Sequence, residues 1–295
     1  MKVFIYGKRF TETQFASVQL LFNLLERDNA EVFVFQPYLE EIKSQIEIRS
    51  QVHSIVDFQD LKNRDIDYAF TLGGDGTILS AVTLIQDTGI PIMGINLGRL
   101  GFLASIEEKL IDQALQMLKS KRYRLEERSM LFLESSRPIF GEHLYALNDF
   151  TILKRDNSSM IVIHAYVNGE FLNSYWADGL IVSTPTGSTG YSLSCGGPIV
   201  FPRSKDFIIT PVAPHNLNVR PLVISDDSVI SFEVEGRTEN FLCTLDSRFE
   251  IITQDFKLAV RKCDFGINLV QLEEMSFMKT MRNKLMWGID TRKHF

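Results

Sequence analysis

The sequence predicts an α/β domain on a parallel sheet, then a β-rich, sandwich-like domain, with a last helix packing back on the first domain. Three observations carry this. Through about residue 118, short apolar runs alternate with segments of helical spacing, the pattern of a parallel sheet with crossover helices. After the charged run from Lys119 to Arg128, alternation with a period of two takes over. A lone helical segment then follows the last strand-like stretch. The expected division is 1–125 with 272–295 for the α/β domain and 126–271 for the β-rich one.

In chain order, Val3-Phe-Ile-Tyr6 has a buried-strand pattern, and its apolar run is too short for a signal peptide. Thr11-Glu-Thr-Gln14 has capping-box spacing ahead of Phe15, Val18, Leu21, Phe22 and Leu25, an apolar stripe at helical spacing. Glu31 to Phe35 reads as the second strand, and Pro37 can start the next helix, where its missing N–H costs nothing. Asp67 to Leu72 is a strand that runs directly into Gly73-Gly-Asp-Gly-Thr77. A helix carrying Ile78, Leu79, Val82 and Ile85 follows and ends at Gly89. Ile90 to Ile95 is a strand, and Ile111, Ala114, Leu115 and Leu118 mark another helix. In the second half, every odd position from Ile161 to Val167 is apolar, and Asn168-Gly169 signals a type I′ hairpin. Ile230, Phe232 and Val234 alternate with polar residues as a half-buried strand. Ser276 caps the last helix, with Phe277, Met281 and Leu285, closed by Gly288.

The composition, 45% hydrophobic and 23% charged, is that of a soluble globular protein. The net charge of −6 arises from 37 acidic and 31 basic residues with no block of one sign, which argues against a nucleic-acid or anionic-membrane surface. Any site for a phosphorylated ligand must be built locally. Cys195, Cys243 and Cys263 show no CxxC spacing, and a cytoplasmic, reducing location is expected. The five histidines form no HExxH or Cys/His cluster, so no all-protein zinc site is expected.

Gly73-Gly-Asp-Gly-Thr77 lies between a strand and a helix start. Its glycines allow positive φ and close approach of a ligand, and the amides at the helix head make an anion site. Asp75 is the odd residue in such a cradle. A carboxylate beside phosphates is repelled unless a metal or a proton to be abstracted compensates, and a phosphoryl-transfer site supplies both. Asp75 or Thr77 capping the helix is the plainer reading, but capping gives no reason for three glycines. There is no GxxxxGK[ST], and Leu79 breaks GxGxxG, so neither the P-loop nor the dinucleotide fingerprint is present.

A second loop, Asp178 through Pro198, is rich in Gly, Ser and Thr, with Tyr191 the large flat face among residues 183–194. Such a loop can stack a base on the ring and read its edges with hydroxyls; the plainer reading is a surface loop. Asn148-Asp149, within the strand-like Ala146 to Leu153, suits the vicinal hydroxyls of a ribose, or else marks a turn or bulge.

Together these segments resemble the NAD kinase family. The resemblance rests on Gly73–Thr77, Asn96-Leu-Gly-Arg-Leu-Gly-Phe102, Asn148-Asp149, Asp178 through Pro198, Pro214 to Val223 and Asp246-Ser-Arg248. It implies a kinase that moves the terminal phosphoryl group of ATP, or of polyphosphate, to the adenosine 2′-hydroxyl of NAD, giving NADP. It implies an α/β phosphate-binding domain and a β-rich NAD-binding domain with the active site between them, and a homodimer or homotetramer. Asp75 is then the base, and the Gly74 and Gly76 amides hold phosphate. Phe102 lies against the adenosine, Asn148 and Asp149 bind a ribose, and Asp178 binds the nicotinamide-side amide. Thr189 and Tyr191 hold adenine with Ser194 nearby, Gly190 belongs to the same binding loop, and His215 and Arg248 approach the phosphates, from either subunit. Magnesium arrives with the donor, and no tightly bound cofactor is expected.

Three departures stand out. Asp149 is one methylene shorter than the family's usual glutamate, implying a longer or water-bridged ribose contact. Trp176 replaces a basic or small residue, leaving NAD versus NADH preference open. Arg248 stands where glutamine is common. Two other readings share parts of the pattern. A lipid or sugar kinase with the same glycine loop would want an apolar channel rather than Tyr191 among hydroxyls, and a non-catalytic NADP sensor would have no need of Asp75. His164, Cys195 and the methionines from Met275 to Met286 are expected to be structural.

Overall fold

The computed structural model describes residues 1–49, 51–98, 101–155, 160–237, 239–273 and 275–287. The chain opens with β1 (Lys2–Gly7), α1 (Phe15–Arg27), β2 (Glu31–Phe35), α2 (Gln36–Ile42), β3 (Val52–Ile55) and α3 (Phe58–Lys62). There follow β4 (Tyr68–Leu72), α4 (Asp75–Ile85), β5 (Ile92–Asn96), β6 (Ile106–Glu107), α5 (Ile111–Lys119) and β7 (Tyr123–Arg128). Next come β8 (Leu131–Ser135), β9 (Tyr145–Ala146), β10 (Asp149–Lys154), β11 (Ile161–Val167), β12 (Glu170–Ala177), β13 (Gly179–Ser183) and the one-turn α6 (Tyr191–Ser194). The chain continues through β14 (Asp206–Val212), β15 (Leu222–Ser225), β16 (Ile230–Glu235), β17 (Phe241–Leu245), β18 (Arg248–Ile252), β19 (Leu258–Lys262), β20 (Ile267–Leu272) and α7 (Phe277–Leu285). It forms two compact units, Met1–Glu127 with Ile267–Phe295, and Arg128–Gly266.

The first unit is built on a sheet in the order β3-β2-β1-β4-β5-β20-β7, with β6 paired to β5. Strands β1 to β5 run parallel, with Phe4 opposite Ala69 and Phe70 opposite Met93. Strands covered on both faces have to be apolar throughout, which explains unbroken runs such as Val3-Phe-Ile and Ile92-Met-Gly-Ile. Helix α1 buries Val18, Leu21, Phe22 and Leu25, and α5 buries Ile111, Ala114, Leu115 and Leu118. Gly89, left-handed at φ 71°, stops the chain after α4 as its sequence position suggests. From β1 the chain first adds β2 and β3 on one side, then crosses to place β4 on the other. The carboxyl end of β4 therefore lies at a switch in strand order, where open α/β sheets bind ligands. That end carries Gly73–Thr77.

The first sheet extends beyond its sequence-based limits. The charged run, read as a boundary, holds strand β7 of this sheet. Strand β20 also belongs here, pairing parallel to β5 at Leu269 and Ile92, so the return from the second unit comes before residue 272. Helix α3, capped by the Asp57 carboxylate accepting from the Asp60 amide at 2.9 Å, was not anticipated. Helix α7 falls within the first unit and begins with Ser276 Oγ accepting from the Lys279 amide at 3.2 Å. It ends at Met286 in the left-handed region; the expected stop at Gly288 lies outside the described residues. Met281 is buried and Met275 packs on the core, whereas Met278 and Met286 are exposed.

The second unit is a sandwich of two six-stranded sheets, β15-β14-β13-β10-β17-β18 and β12-β11-β16-β19-β8-β9, antiparallel in the pairs that define them. Phe150, Val182, Phe207 and Phe241 of one sheet share a core with Ile163, Phe232 and Val260 of the other. Asn168 at φ 52° and Gly169 at φ 83° make the tight turn joining β11 to β12. Leu147 and Asn148 form a bend that carries the chain from β9 in one sheet to β10 in the other. Asn148 is thus not within a strand, as the run Ala146 to Leu153 had suggested, and Asp149 opens β10. Among the described residues no helix is long and apolar enough to cross a membrane.

Candidate active site

In the first unit, Asp75 is the first residue of α4, with Gly74 at its N-cap. Of the three glycines only Gly73 has positive φ, at 146°, and a Cβ there would lie 2.3 Å from Thr77 Oγ1. A Cβ at Gly74 or Gly76 would meet nothing within 4 Å, so the fold itself does not demand glycine at either. The Asp75 carboxylate is gripped by successive backbone amides. Oδ2 accepts from Phe102 at 2.8 Å, and Oδ1 accepts from Leu103 at 3.0 Å and Ala104 at 2.9 Å. Gly101 makes this possible by close approach, since a Cβ there would sit 1.8 Å from Oδ1. Half-buried Phe102 thus meets Asp75 through its main chain. Arg99 and Leu100 of the same motif lie outside the described residues.

In the second unit, the hydroxyl-rich loop is largely buried rather than superficial: residues 183–188 are all buried. Its hydroxyls mostly knit the loop together. Thr184 Oγ1 donates to the Leu147 carbonyl at 2.6 Å, Ser188 Oγ to Pro185 at 2.7 Å and Thr189 Oγ1 to Thr186 at 3.2 Å, while Ser192 and Thr210 share a 2.8 Å bond. Thr189 is therefore engaged by its own loop. The loop packs hard against the Asn148–Asp149 bend. A Cβ at Gly187 would fall 2.0 Å from the Asn148 carbonyl oxygen, and one at Gly190 would lie 3.5 Å from Asn148 Nδ2 and 3.7 Å from Asp149 Oδ2. Asn148 Oδ1 is buried without a hydrogen-bond partner, although the residue is only half-buried.

Asp149 is buried, and burial first, then the Asp246 carboxylate, push its carboxyl up to about 7. Asp246 sits in the turn between β17 and β18 and accepts from the amides of Leu147 at 2.9 Å, Asn148 at 2.8 Å and Asp149 at 3.1 Å. Burial raises the Asp246 carboxyl, opposed by those amides and by Arg248. The Arg248 guanidinium donates to the carbonyls of His143 and Tyr145, beside the Phe140 and Tyr145 rings.

Tyr191, 41% exposed, opens α6. Burial first, then Cys195, Asp178 and Asp149, raise its phenol above the usual value, which places it among the Asn148–Asp149 group. Ser194 ends α6 and is exposed. Asp178, between β12 and β13, pairs with Lys154 Nζ at 2.6 Å. Trp176 and His215 are neighbours, the Trp176 carbonyl accepting the His215 amide at 2.8 Å with ring centroids 6.4 Å apart. His164 Nδ1 and Ser174 Oγ share a 2.7 Å hydrogen bond across the β11–β12 pair.

Within the first unit, then, Gly74, Asp75, Gly76 and Phe102 come together. Within the second, Asn148, Asp149, Asp178, Gly190 and Tyr191 do, with Trp176 and His215 as an adjacent pair. Sequence reading gave no part to the close approach of Gly101, the amides of 102–104, Lys154 or the amide contacts of Asp246. Only the glycine-rich run around Gly101 offered a signal, since backbone donors carry no residue identity.

The ATP-NAD kinase N-terminal domain family matches residues 7–123, and the ATP-NAD kinase C-terminal domain family matches residues 147–272. An NAD kinase of Cytophaga hutchinsonii is 47% identical over 289 residues, 98% of either chain. One from Bacteroides fragilis is 43% identical over 292 residues, 99% of this chain and 100% of its own. Among solved structures, yeast NADH kinase complexed with NADH matches with a TM-score of 0.87 at 25% identity, covering 100% of this chain and 90% of that one. An NAD kinase from Archaeoglobus fulgidus in complex with ATP matches with a TM-score of 0.70 at 25% identity, covering 97% and 98%. The chain belongs to the NAD kinase family, whose reaction is the phosphorylation of NAD to NADP.

Proposed function

We propose that Asp75 is the general base of this NAD kinase, taking the proton from the adenosine 2′-hydroxyl as that oxygen attacks the terminal phosphorus of ATP and the bond from that phosphorus to the bridging oxygen breaks, releasing ADP. The enzyme phosphorylates NAD to NADP, and the distribution of hydrogen bonds on Asp75 is the observation that carries its mechanism. A carboxylate offers about four lone-pair sites, two on each oxygen. Oδ1 accepts two amides and Oδ2 one, which leaves Oδ2 able to accept a further hydrogen bond. The amides fix the carboxylate's orientation, so the base is held in place before substrate arrives.

The other roles follow from chemistry. Gly74 and Gly76, where the fold leaves room for side chains, let phosphate approach the head of α4. Asn148 and Asp149 hold a ribose, and the unpartnered Asn148 Oδ1 is suited to a hydroxyl donor. Gly190 and Tyr191 face adenine with Thr189 and Ser194 beside them, Phe102 lies on the adenosine, and Asp178 reads the carboxamide. Trp176 and His215 line the dinucleotide, with His215 turned to phosphate. Arg248 has five N–H donors, so anchoring by two carbonyls is compatible with a phosphate contact. Magnesium enters bound to the donor's phosphates and offsets their charge in transfer. A cytoplasmic homodimer or homotetramer completes the proposal.

A coupled assay for NADP, run with ATP or polyphosphate and with NAD or NADH, tests it. Product is expected with ATP, magnesium and NAD; tight dinucleotide binding without product from any donor would return the sensor reading.

A further inference from the structure

We infer that Asp246 is a positioning residue for NAD: by gathering the amides of Leu147, Asn148 and Asp149 it sets the bend that presents Asn148 and Asp149 to the ribose, and its charge makes NAD affinity depend on the proton held by Asp149. This rests on the reading of Asn148 and Asp149 as ribose-binding residues.

The geometry is a two-way clip. The Asp246 carboxylate accepts three successive amides at 2.8 to 3.1 Å, while the Asp246 amide donates to the Asp149 carbonyl at 2.9 Å. Asp246 adopts φ 53°, a conformation that Asp and Asn tolerate better than most residues. The clip holds a bend between two sheets, a place where neither sheet's own ladder fixes the backbone. It also brings the Asp246 charge near enough to act on the buried Asp149 carboxyl. The titratable groups that interact with Asp149 are Asp246 from the β17–β18 turn and Tyr191 from α6, while Arg248 acts on Asp246.

The sign follows from which form binds. Vicinal hydroxyls donate, and an ionised carboxylate accepts more strongly than a neutral acid. Burial and Asp246 keep Asp149 partly protonated around neutrality, its carboxyl lying at about 7. NAD binding therefore selects the ionised form and releases a proton, and the KM for NAD falls as pH rises from 6 to 8.

Two experiments test this. In calorimetry at pH 7 in buffers of differing ionisation enthalpy, NAD binding to the wild-type enzyme is expected to release about half a proton per site. Asp149→Asn is expected to release none. The second compares steady-state kinetics of wild type and Asp246→Asn, with circular dichroism confirming the fold. The variant keeps an oxygen for the amides but presents an NH2 to one of them and removes the repelling charge. Its KM for NAD at pH 8 is expected to rise about tenfold, with kcat changed less than about threefold, and the pH at which KM begins to climb is expected to move lower, burial alone still holding the Asp149 carboxyl up.

No net release, or proton uptake, by the wild type overturns the inference. So does an unchanged pH dependence in folded Asp246→Asn, since a merely structural residue would raise KM without displacing the profile. Failure of the ribose assignment itself reads differently: Asn148→Ala and Asp149→Asn would then both leave the KM for NAD unchanged.

Discussion

Asp75→Asn is expected to lower kcat for NADP formation by about 10²- to 10⁴-fold, the range contributed by a positioned acid or base. The dissociation constant for NAD, measured by calorimetry, is expected to stay within about threefold. The amide is nearly isosteric, and its oxygen can still accept from Leu103 and Ala104 in place of Oδ1. Its NH2 group cannot accept from Phe102, so a donor faces a donor where the 2.8 Å bond stood. That mismatch is expected to reduce stability by about 1–3 kcal/mol, visible in denaturant unfolding without loss of fold. A variant that unfolds in place would lose NAD binding and turnover together; loss of a base lowers kcat alone. Near-normal turnover would leave the carboxylate as a loop clamp and nothing more.

Gly101→Ala carries the second large effect, and it leaves the base chemically intact. The new methyl would stand 1.8 Å from Asp75 Oδ1 and 2.6 Å from Cγ, well inside contact distance. Either the carboxylate rotates away or the loop bearing the Phe102 to Ala104 amides shifts. A displacement of about 1 Å in a reacting group costs on the order of 10²-fold in rate. A kcat loss of about that size is expected, with NAD affinity nearly unchanged. Gly76→Ala provides the contrast. Nothing lies within 4 Å of that Cβ, so stability should hold, and any loss of activity there reports ligand approach rather than strain. Wild-type kcat in a folded Gly101→Ala would mean that the orientation of Asp75 is irrelevant to the chemistry.

The alternation of β1 to β5 with helices was legible because strands covered on both sides are forced to be apolar. The Asn168-Gly169 turn and the Gly89 stop were legible because few residues accept left-handed backbone. The place of the glycine loop between β4 and α4 was legible because the apolar strand run leads directly into it and a helical stripe follows. Other features have no local signature. Strand β20, Ile267 to Leu272, would suit either unit, and only its pairing with β5 assigns it. The grip on Asp75 uses backbone amides, which any sequence supplies. Asp246 and the Asp149 amide that it holds are 97 positions apart, so the carboxyl pair appears only once the sandwich closes. The hydroxyls of residues 183–194 suggested base recognition by composition, yet Thr184, Ser188 and Ser192 point inward, because a buried loop has to satisfy its own polar groups.

The most direct test of the base assignment is a crystal structure of the enzyme with NAD bound. The adenosine 2′-oxygen is predicted to lie about 2.6–3.2 Å from Asp75 Oδ2, or one water away from it, with Oδ1 still held by Leu103 and Ala104. A 2′-oxygen remote from that carboxylate in every bound state, with no bridging water, would contradict the account.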